Sequence, residues 1–123
     1  MSTTQSELRT VATPAATMRT FASPTTAPPA DVAVWRTELP VGTAGPRHAV
    51  DRDHVVVVVE GSLRVVLGEE ETVVPNGGSV VLPAGVTRQL AAADGPAVTV
   101  TAARPGSIAS VGGGEPVEVP WAR

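Results

Sequence analysis

Short apolar runs separated by turn-forming residues dominate the chain from Asp31 onward. Gly, Pro, Asn and Asp recur between these runs at intervals of roughly ten residues, a pattern typical of an all-β sandwich or barrel. No sustained apolar pattern of helical period is seen in the sequence. The pattern predicts strands at 32–39, 55–59, 63–67, 72–74, 80–82, 87–90, 97–102 and 117–119.

An unbroken run of valines, Val55–Val59, stands out among these predicted strands. Such a run favours a strand that is buried on both faces, either between two sheets or at a subunit interface. Gly61 and Ser62 separate it from the next apolar run, Leu63–Leu67. Because glycine adopts turn conformations that other residues resist, we predict that the two runs pair as a β-hairpin.

The first thirty residues have a different composition, rich in Thr, Ala, Ser and Pro and without sustained periodicity. Such a segment buries too little apolar surface to offset the entropy lost on ordering it. We therefore predict a flexible N-terminal tail at 1–30 and a single domain at 31–123. Met18 is interpreted either as an alternative start or as part of a short strand near 18–22, docked on the body or swapped onto a second subunit.

The charge composition of the chain bears on which kinds of molecule it can bind. The formal net charge is -3, the sequence pI is near 5.3 and no basic block occurs, so we expect no nucleic-acid partner. All nine basic residues are arginine, a bias typical of a GC-rich bacterial genome.

Cysteine is absent, which excludes disulfides, thiolate nucleophiles and cysteine-based metal sites. No segment has the roughly twenty apolar residues of a membrane span, so we expect no membrane partner and a cytoplasmic location.

Two stretches carry a recognisable spacing of glycine, proline and histidine. The first is Gly42-x5-His48-x-Val50-x3-His54-x6-Gly61, and the second is Gly77-x5-Pro83-x-Gly85-x2-Arg88. Together they resemble the two conserved motifs of the cupin superfamily, over roughly residues 35–102. The resemblance implies a small cupin jelly-roll β-barrel of six to eight strands, commonly dimeric, in which two motif segments surround a central pocket.

The same resemblance implies four metal-ligand positions, of which three are altered in this chain. In metal-binding cupins these positions hold two histidines and a glutamate from the first motif and a histidine from the second. Here they fall on His48, Val50, His54 and Arg88. Val50 has no donor atom and arginine stays protonated, so we expect no metal cofactor. If a divalent transition metal does bind, His48 and His54 would hold it, with Asp51 and Asp53 completing the site.

The alternative hypothesis uses these residues without a metal. Arg88 would clamp a carboxylate, phenolate or enolate through a two-pronged hydrogen bond, and His48 or His54 would transfer a proton. Val50 and Trp35 are candidates for the wall of the ligand pocket, although a tryptophan in a β-strand is more often part of the core. Two structural alternatives stay open: Arg88 could pair with Asp51 or Asp53, or a shift of one residue could turn Gln89 inward in place of Arg88.

These observations leave three functional hypotheses. The first is a small-molecule-binding cupin with a metal-poor pocket that acts as a metal-independent isomerase or cyclase on a small anionic or aromatic metabolite. The second is a non-catalytic ligand-binding, sensor or interaction module. The third is a metal-dependent oxygenase with an atypical two-histidine site. A homodimer is expected in each case.

Overall fold

The computed structural model describes residues 4–123, which form twelve β-strands and one short 3-10 helix. The strands that the sequence predicts from residue 32 onward are all present, with small shifts of their ends. Their bounds are β1 Arg9–Ala12, β2 Thr17–Ala22, β3 Ala33–Leu39, β4 Ala49–Val50, β5 His54–Glu60, β6 Leu63–Leu67, β7 Glu70–Val74, β8 Ser79–Leu82, β9 Arg88–Ala92, β10 Ala97–Ala103, β11 Ile108–Ser110, β12 Val117–Glu118 and the 3-10 helix Pro120–Ala122.

Three antiparallel sheets enclose a common interior, which makes the fold a jelly-roll barrel. A six-stranded sheet has the order β1-β2-β3-β10-β5-β8, and it faces a three-stranded sheet of order β7-β6-β9. A third small sheet, β12-β11-β4, closes one part of the barrel. The all-β prediction is therefore confirmed.

Alternation along the strands directs one set of side chains into the barrel. Strand β10 buries Ala97, Thr99, Thr101 and Ala103, because side chains two residues apart lie on the same face of a strand. The neighbouring strands β3 and β5 also bury alternate side chains in the barrel. The inward side chains form two buried apolar clusters: Leu39, Val56, Val58, Leu63, Val65, Val74, Leu82 and Ala97 in one, and Met18, Ala33, Trp35, Ala103, Val119 and Ala122 in the other.

The predicted hairpin between the valine run and Leu63–Leu67 is wrong. Strand β5 pairs with β10 and β8, whereas β6 pairs with β7 and β9, so the link between them crosses from one sheet to the other. Gly61 makes this crossing with a φ of +70°. A Cβ at Gly61 would overlap the carbonyl oxygen of Pro96, so the close approach of the two chain segments also requires glycine here.

The valine run is also less buried than the sequence predicted. Val56 and Val58 are buried, but Val55, Val57 and Val59 lie on the outer face of the six-stranded sheet and are about two-fifths exposed. The described residues of the chain therefore cover only the inner face of β5. Burial of the outer face at a subunit interface stays a prediction.

The N-terminal segment differs from the predicted flexible tail. Residues 9–12 and 17–22 form β1 and β2, and β2 pairs with β3 of the same chain. Met18 and Thr20 are buried, and the Thr20 hydroxyl donates to the carbonyl oxygen of Trp121 at 2.7 Å. The strand predicted near 18–22 is thus present, and the first three residues of the predicted tail lie outside the described residues. Composition did not predict these strands because their order comes from backbone pairing with β3 and from burial of Met18, which are contacts with distant parts of the chain.

Among residues 4–123, no helix has the length and apolar character needed to cross a bilayer.

Candidate functional site

A cavity of about 560 Å³ occupies the lumen of the barrel. Its walls are mainly apolar and come from strands of all three sheets, including β3, β5, β9 and β10. Three further chain segments also border it: 13–16, 43–46 and 117–121. The volume lies within the range of about 300–1,000 Å³ that is usual for small-molecule pockets.

Arg88 contributes a buried positive charge to this wall. It is the first residue of β9 and is 1% exposed. Its Nε donates to the carbonyl oxygen of Val86 at 3.0 Å, and its Nη2 donates to that of Pro83. The remaining terminal nitrogen, Nη1, is buried and has no hydrogen-bond partner among the described residues. Burial lowers the pKa of Arg88 and the charge of Asp53 raises it, and arginine remains protonated at neutral pH.

The two nearby aspartates do not pair with Arg88. Asp51 accepts a hydrogen bond from the Ile108 backbone N–H at 2.7 Å and lies 3.1 Å from Arg52. Asp53 accepts from the backbone N–H of Ala84 at 2.7 Å. Within residues 4–123, no carboxylate oxygen lies within 4.0 Å of the Arg88 guanidinium. Both aspartates therefore fasten loops, and the structural ion pair considered for Arg88 is not formed.

The backbone holds His48 beside Arg88. The two residues form an antiparallel bridge in which each backbone N–H donates to the other carbonyl, at 2.9 and 2.8 Å. The Nδ1 atom of His48 lies 2.9 Å from the carbonyl oxygen of Pro46. Because a carbonyl can only accept, Nδ1 carries the proton of the neutral ring and Nε2 keeps its lone pair. Burial and the Arg88 charge lower the pKa of His48, with an opposing contribution from the Pro46 hydrogen bond.

His54 lies on the inner face at the start of β5. It is 8% exposed, and its ring packs edge-on against Trp35 with ring centroids 5.2 Å apart. Its Nε2 lies 3.1 Å from the Ser107 hydroxyl. Burial, together with the charges of Arg88 and His48, lowers the pKa of His54 to about 4. Both histidines of the chain are therefore neutral at pH 7.

Of the other candidate residues, two line the cavity and one does not. Val50 and Trp35 are buried and line the cavity, and Trp35 also belongs to a buried cluster. Gln89 does not line the cavity. Its side-chain amide donates to the carbonyl oxygen of Gly45 at 2.9 Å, because neighbouring residues on a strand face opposite ways and Arg88 faces inward.

Sequence reasoning missed three buried polar residues. Thr99 and Thr101 line the cavity, and Ser107 contacts His54. Alternation puts Thr99 and Thr101 on one face of this strand and Val98 and Val100 on the other, so the apolar pattern alone would have turned the valines inward. Ser107 follows Gly106 in a loop, and no local pattern points to it.

The residues at the four expected ligand positions do not fit a transition-metal ion. Among the four corresponding positions, only His48 and His54 offer a metal-binding atom, and Val50 offers a hydrocarbon. The fourth position places a buried guanidinium where a ligand would have to donate electrons. In the described part of the chain, no three His, Cys or acidic residues are grouped closely enough to hold an ion. Stable transition-metal sites usually have three or four protein ligands.

The fold and the lumenal site define a class: a small jelly-roll barrel whose interior is lined by residues of two sequence motifs. Residues 35–102 match the family described as Cupin domain, which is more than half of the chain. The protein therefore belongs to the cupin family. No curated protein matches the sequence.

Solved structures share the fold at low sequence identity. A cupin 2 domain-containing protein from Halorhodospira halophila has a TM-score of 0.70 at 18% identity, and covers 85% of this chain and 70% of its own. Salicylate 1,2-dioxygenase from Pseudoaminobacter salicylatoxidans, with gentisate, has a TM-score of 0.72 at 19% identity, over 86% of this chain and 31% of its own. A variant of oxalate decarboxylase from Bacillus subtilis has a TM-score of 0.72 at 17% identity, and the match covers 80% of this chain and 28% of the decarboxylase. The protein thus spans about a third of these two enzymes, and the likeness concerns the fold alone.

Proposed function

We propose that this cupin binds a small organic anion in its lumen, with the Arg88 guanidinium as the anion-binding group. The observation that carries the proposal is the buried Nη1 of Arg88, which has no partner among the described residues. A buried charge without a counter-ion is costly, and a carboxylate or enolate oxygen would offset that cost. Less than 1 Å² of Nη1 is exposed, so a ligand oxygen would contact it only after the cavity wall moves.

The remaining walls support an apolar or aromatic body for this anion. Trp35, Leu39 and Val56 line the cavity together with Met18 and Leu90. A single cation in a mainly apolar cavity favours one anionic group on a hydrocarbon framework, because further charges would lack partners. Among the fold neighbours, salicylate 1,2-dioxygenase holds gentisate, an aromatic carboxylate, which agrees with this ligand class.

The same geometry supports a proton transfer that needs no metal. With its proton on Nδ1, His48 has an Nε2 lone pair that can accept a proton from a carbon next to a carbonyl. The electron pair left on that carbon would delocalise onto the carbonyl oxygen, whose charge Arg88 would stabilise. Return of the proton at a second carbon completes an isomerisation. We therefore propose a metal-independent isomerase or cyclase as the catalytic form of this function.

We also propose that the working unit is a homodimer paired through the outer face of the six-stranded sheet. The exposed side chains there include Val55, Val57, Val59 and, on the neighbouring strand, Val81. An apolar patch of adjacent valines is unusual on the free surface of a monomer.

Thermal denaturation with benzoate, a one-charge aromatic probe, tests the anion site. We expect benzoate to raise the Tm of the wild-type protein and the neutral isostere benzamide to leave it unchanged. Arg88→Met removes the charge and keeps an apolar side chain, so the variant should fold and lose the benzoate effect. Arg64→Met is the matched control, because Arg64 lies on β6 and pairs with Glu71 at the surface.

Three outcomes would contradict the proposal: no benzoate effect on the wild type up to its solubility limit, equal effects of benzoate and benzamide, or an undiminished benzoate effect in Arg88→Met. Native mass spectrometry of the protein as isolated would add the identity of any co-purified anion.

A further inference from the structure

The contact between His54 and Ser107 is sealed from water. Ser107 has no exposed surface, and its hydroxyl oxygen lies 3.1 Å from Nε2 of His54. The other ring nitrogen, Nδ1, has no hydrogen-bond partner within residues 4–123, and the ring lies in the cavity wall. His54 therefore has one nitrogen committed to the protein and one left for the lumen.

The buried hydroxyl decides which nitrogen carries the proton. A serine hydroxyl has one hydrogen, and in the described part of the chain the Ser107 hydroxyl has no partner other than His54. If it accepted a hydrogen bond from Nε2, its own hydrogen would be buried without an acceptor. No water could serve instead, because the residue is fully buried. An unsatisfied buried donor is costly, so the hydroxyl donates to Nε2.

We propose that Ser107 is a positioning residue that holds His54 in the Nδ1–H tautomer, so that His54 presents a hydrogen-bond donor to the lumen. His48 has the same tautomer for a different reason, because its Nδ1–H is used by Pro46. The consequence for the lumen is opposite in the two cases. His48 is left with a lone pair to offer, and His54 is left with a proton.

The surroundings keep this arrangement rigid and neutral. The Ser107 carbonyl accepts from the Val119 N–H at 2.9 Å, and the next residue, Ile108, is held by Asp51 at 2.7 Å. The edge contact with Trp35 limits rotation of the His54 ring. The lowered pKa of His54 means that the ring has a single proton to place near neutral pH.

This inference extends the proposed function by giving its two histidines different roles. His48 would act as the proton acceptor. His54 would donate a neutral hydrogen bond to an oxygen of the ligand, at a second point beside the Arg88 charge. The lumen is then matched to an anion with a further oxygen acceptor, such as a keto or hydroxy acid.

Long-range ¹H–¹⁵N NMR of protein labelled at the imidazole nitrogens tests the tautomers without any ligand. The chain has only two histidines, so only two spin systems arise. We expect the Nδ1–H pattern for both rings at pH 7 in the wild type, although neutral imidazole in water favours Nε2–H. In Ser107→Ala, the His54 ring should gain the Nε2–H form while His48 keeps its pattern and serves as the internal control.

Ser107→Thr keeps a hydroxyl at this position, so His54 should have the Nδ1–H form in this variant, as in the wild type. If Ser107 only filled space, the tautomer of His54 would not depend on the hydroxyl. An Nε2–H pattern for His54 in the folded wild type would overturn the inference, and so would an unchanged His54 pattern in folded Ser107→Ala. If neither substituted protein folds, the wild-type spectrum alone decides. Because no ligand is present, failure here is distinct from failure of benzoate binding.

Discussion

At the scale of single residues, the lumen places one buried cation close to both histidines. Arg88 is buried beside two histidines, and the two nearest aspartates are used by backbone N–H groups. Protonation of either histidine would add a second cation to this space. The arrangement therefore keeps both rings neutral, which leaves His48 competent as a base and makes the fold sensitive to acid.

We predict a loss of stability between pH 6.5 and pH 4 that depends on His54. Its pKa falls from 6.5 in the unfolded chain to about 4 in the folded protein. Well above pH 6.5 His54 is unprotonated in both states, and its contribution to stability is complete. As the pH falls, the unfolded state takes up the proton first, so the free energy of unfolding decreases by about 3 kcal/mol in total.

Urea denaturation at a series of pH values measures this effect. His54→Gln cannot titrate and keeps a group able to bond Ser107, so its free energy of unfolding should vary less over the same pH range. Carboxylates titrate in both proteins below about pH 4.5, and the difference between the two curves removes their contribution. Parallel curves would show that His54 does not have the lowered pKa.

At the scale of elements, the N-terminal strands are part of the barrel and contribute to the site. Strand β2 lies between β1 and β3 in the six-stranded sheet and covers one buried cluster with Met18. The turn at 13–16, between β1 and β2, borders the cavity. The 3-10 helix at Pro120–Ala122 packs against this side of the sheet, where the Trp121 carbonyl receives the Thr20 hydroxyl. Both ends of the described chain therefore help to close the lumen.

A substitution in β2 distinguishes this structure from a flexible tail. Met18 is 4% exposed, so Met18→Ala should lower the free energy of unfolding by about 2–5 kcal/mol through lost contacts and a new cavity. Phe21 lies on the same strand but is 38% exposed, so Phe21→Ala should cost no more than about 1 kcal/mol. Urea denaturation compares the two, and equal small effects would mean that β2 is not docked.

At the scale of the whole molecule, the six-stranded sheet has two unlike halves on its outer face. Valines occupy the half formed by β5 and β8, where Val55 pairs with Val81. Charged side chains occupy the other half, where Arg19 and Arg36 both approach Glu38. The apolar half has no cover among residues 4–123, and this difference motivates the proposed dimer.

Light scattering after size-exclusion chromatography tests the dimer at micromolar concentration. We expect the wild type to be a dimer and Val57→Glu to be a monomer, because two like charges would face an apolar partner without compensation. Val73→Glu is the matched control: Val73 is 48% exposed, but it lies on β7 in the opposite sheet. A monomeric wild type, or a dimer that survives Val57→Glu but not Val73→Glu, would contradict the proposed interface.

Local patterns in the sequence were sufficient for most strands from residue 32 onward, and a resemblance to known motifs indicated the family. Period-two alternation and turn residues are properties of neighbouring residues, and they placed most strands within a few positions of their observed bounds. The spacing from Gly42 to Arg88 likewise indicated the candidate residues, and His48, His54 and Arg88 all line the same cavity. Each of these inferences needed only the order of residues along the chain.

Only the tertiary structure decided which partners these elements and side chains take. Strands β5 and β6 are neighbours in sequence but join different sheets, and the Thr-rich N-terminal segment becomes ordered through contact with distant strands. Ser107 lies 53 residues from the histidine it contacts. Among the described residues, Nη1 of Arg88 lacks a partner because Asp51 and Asp53 accept hydrogen bonds from backbone N–H groups elsewhere. Pairing and burial are set by groups far apart in the chain, so no local pattern contains them.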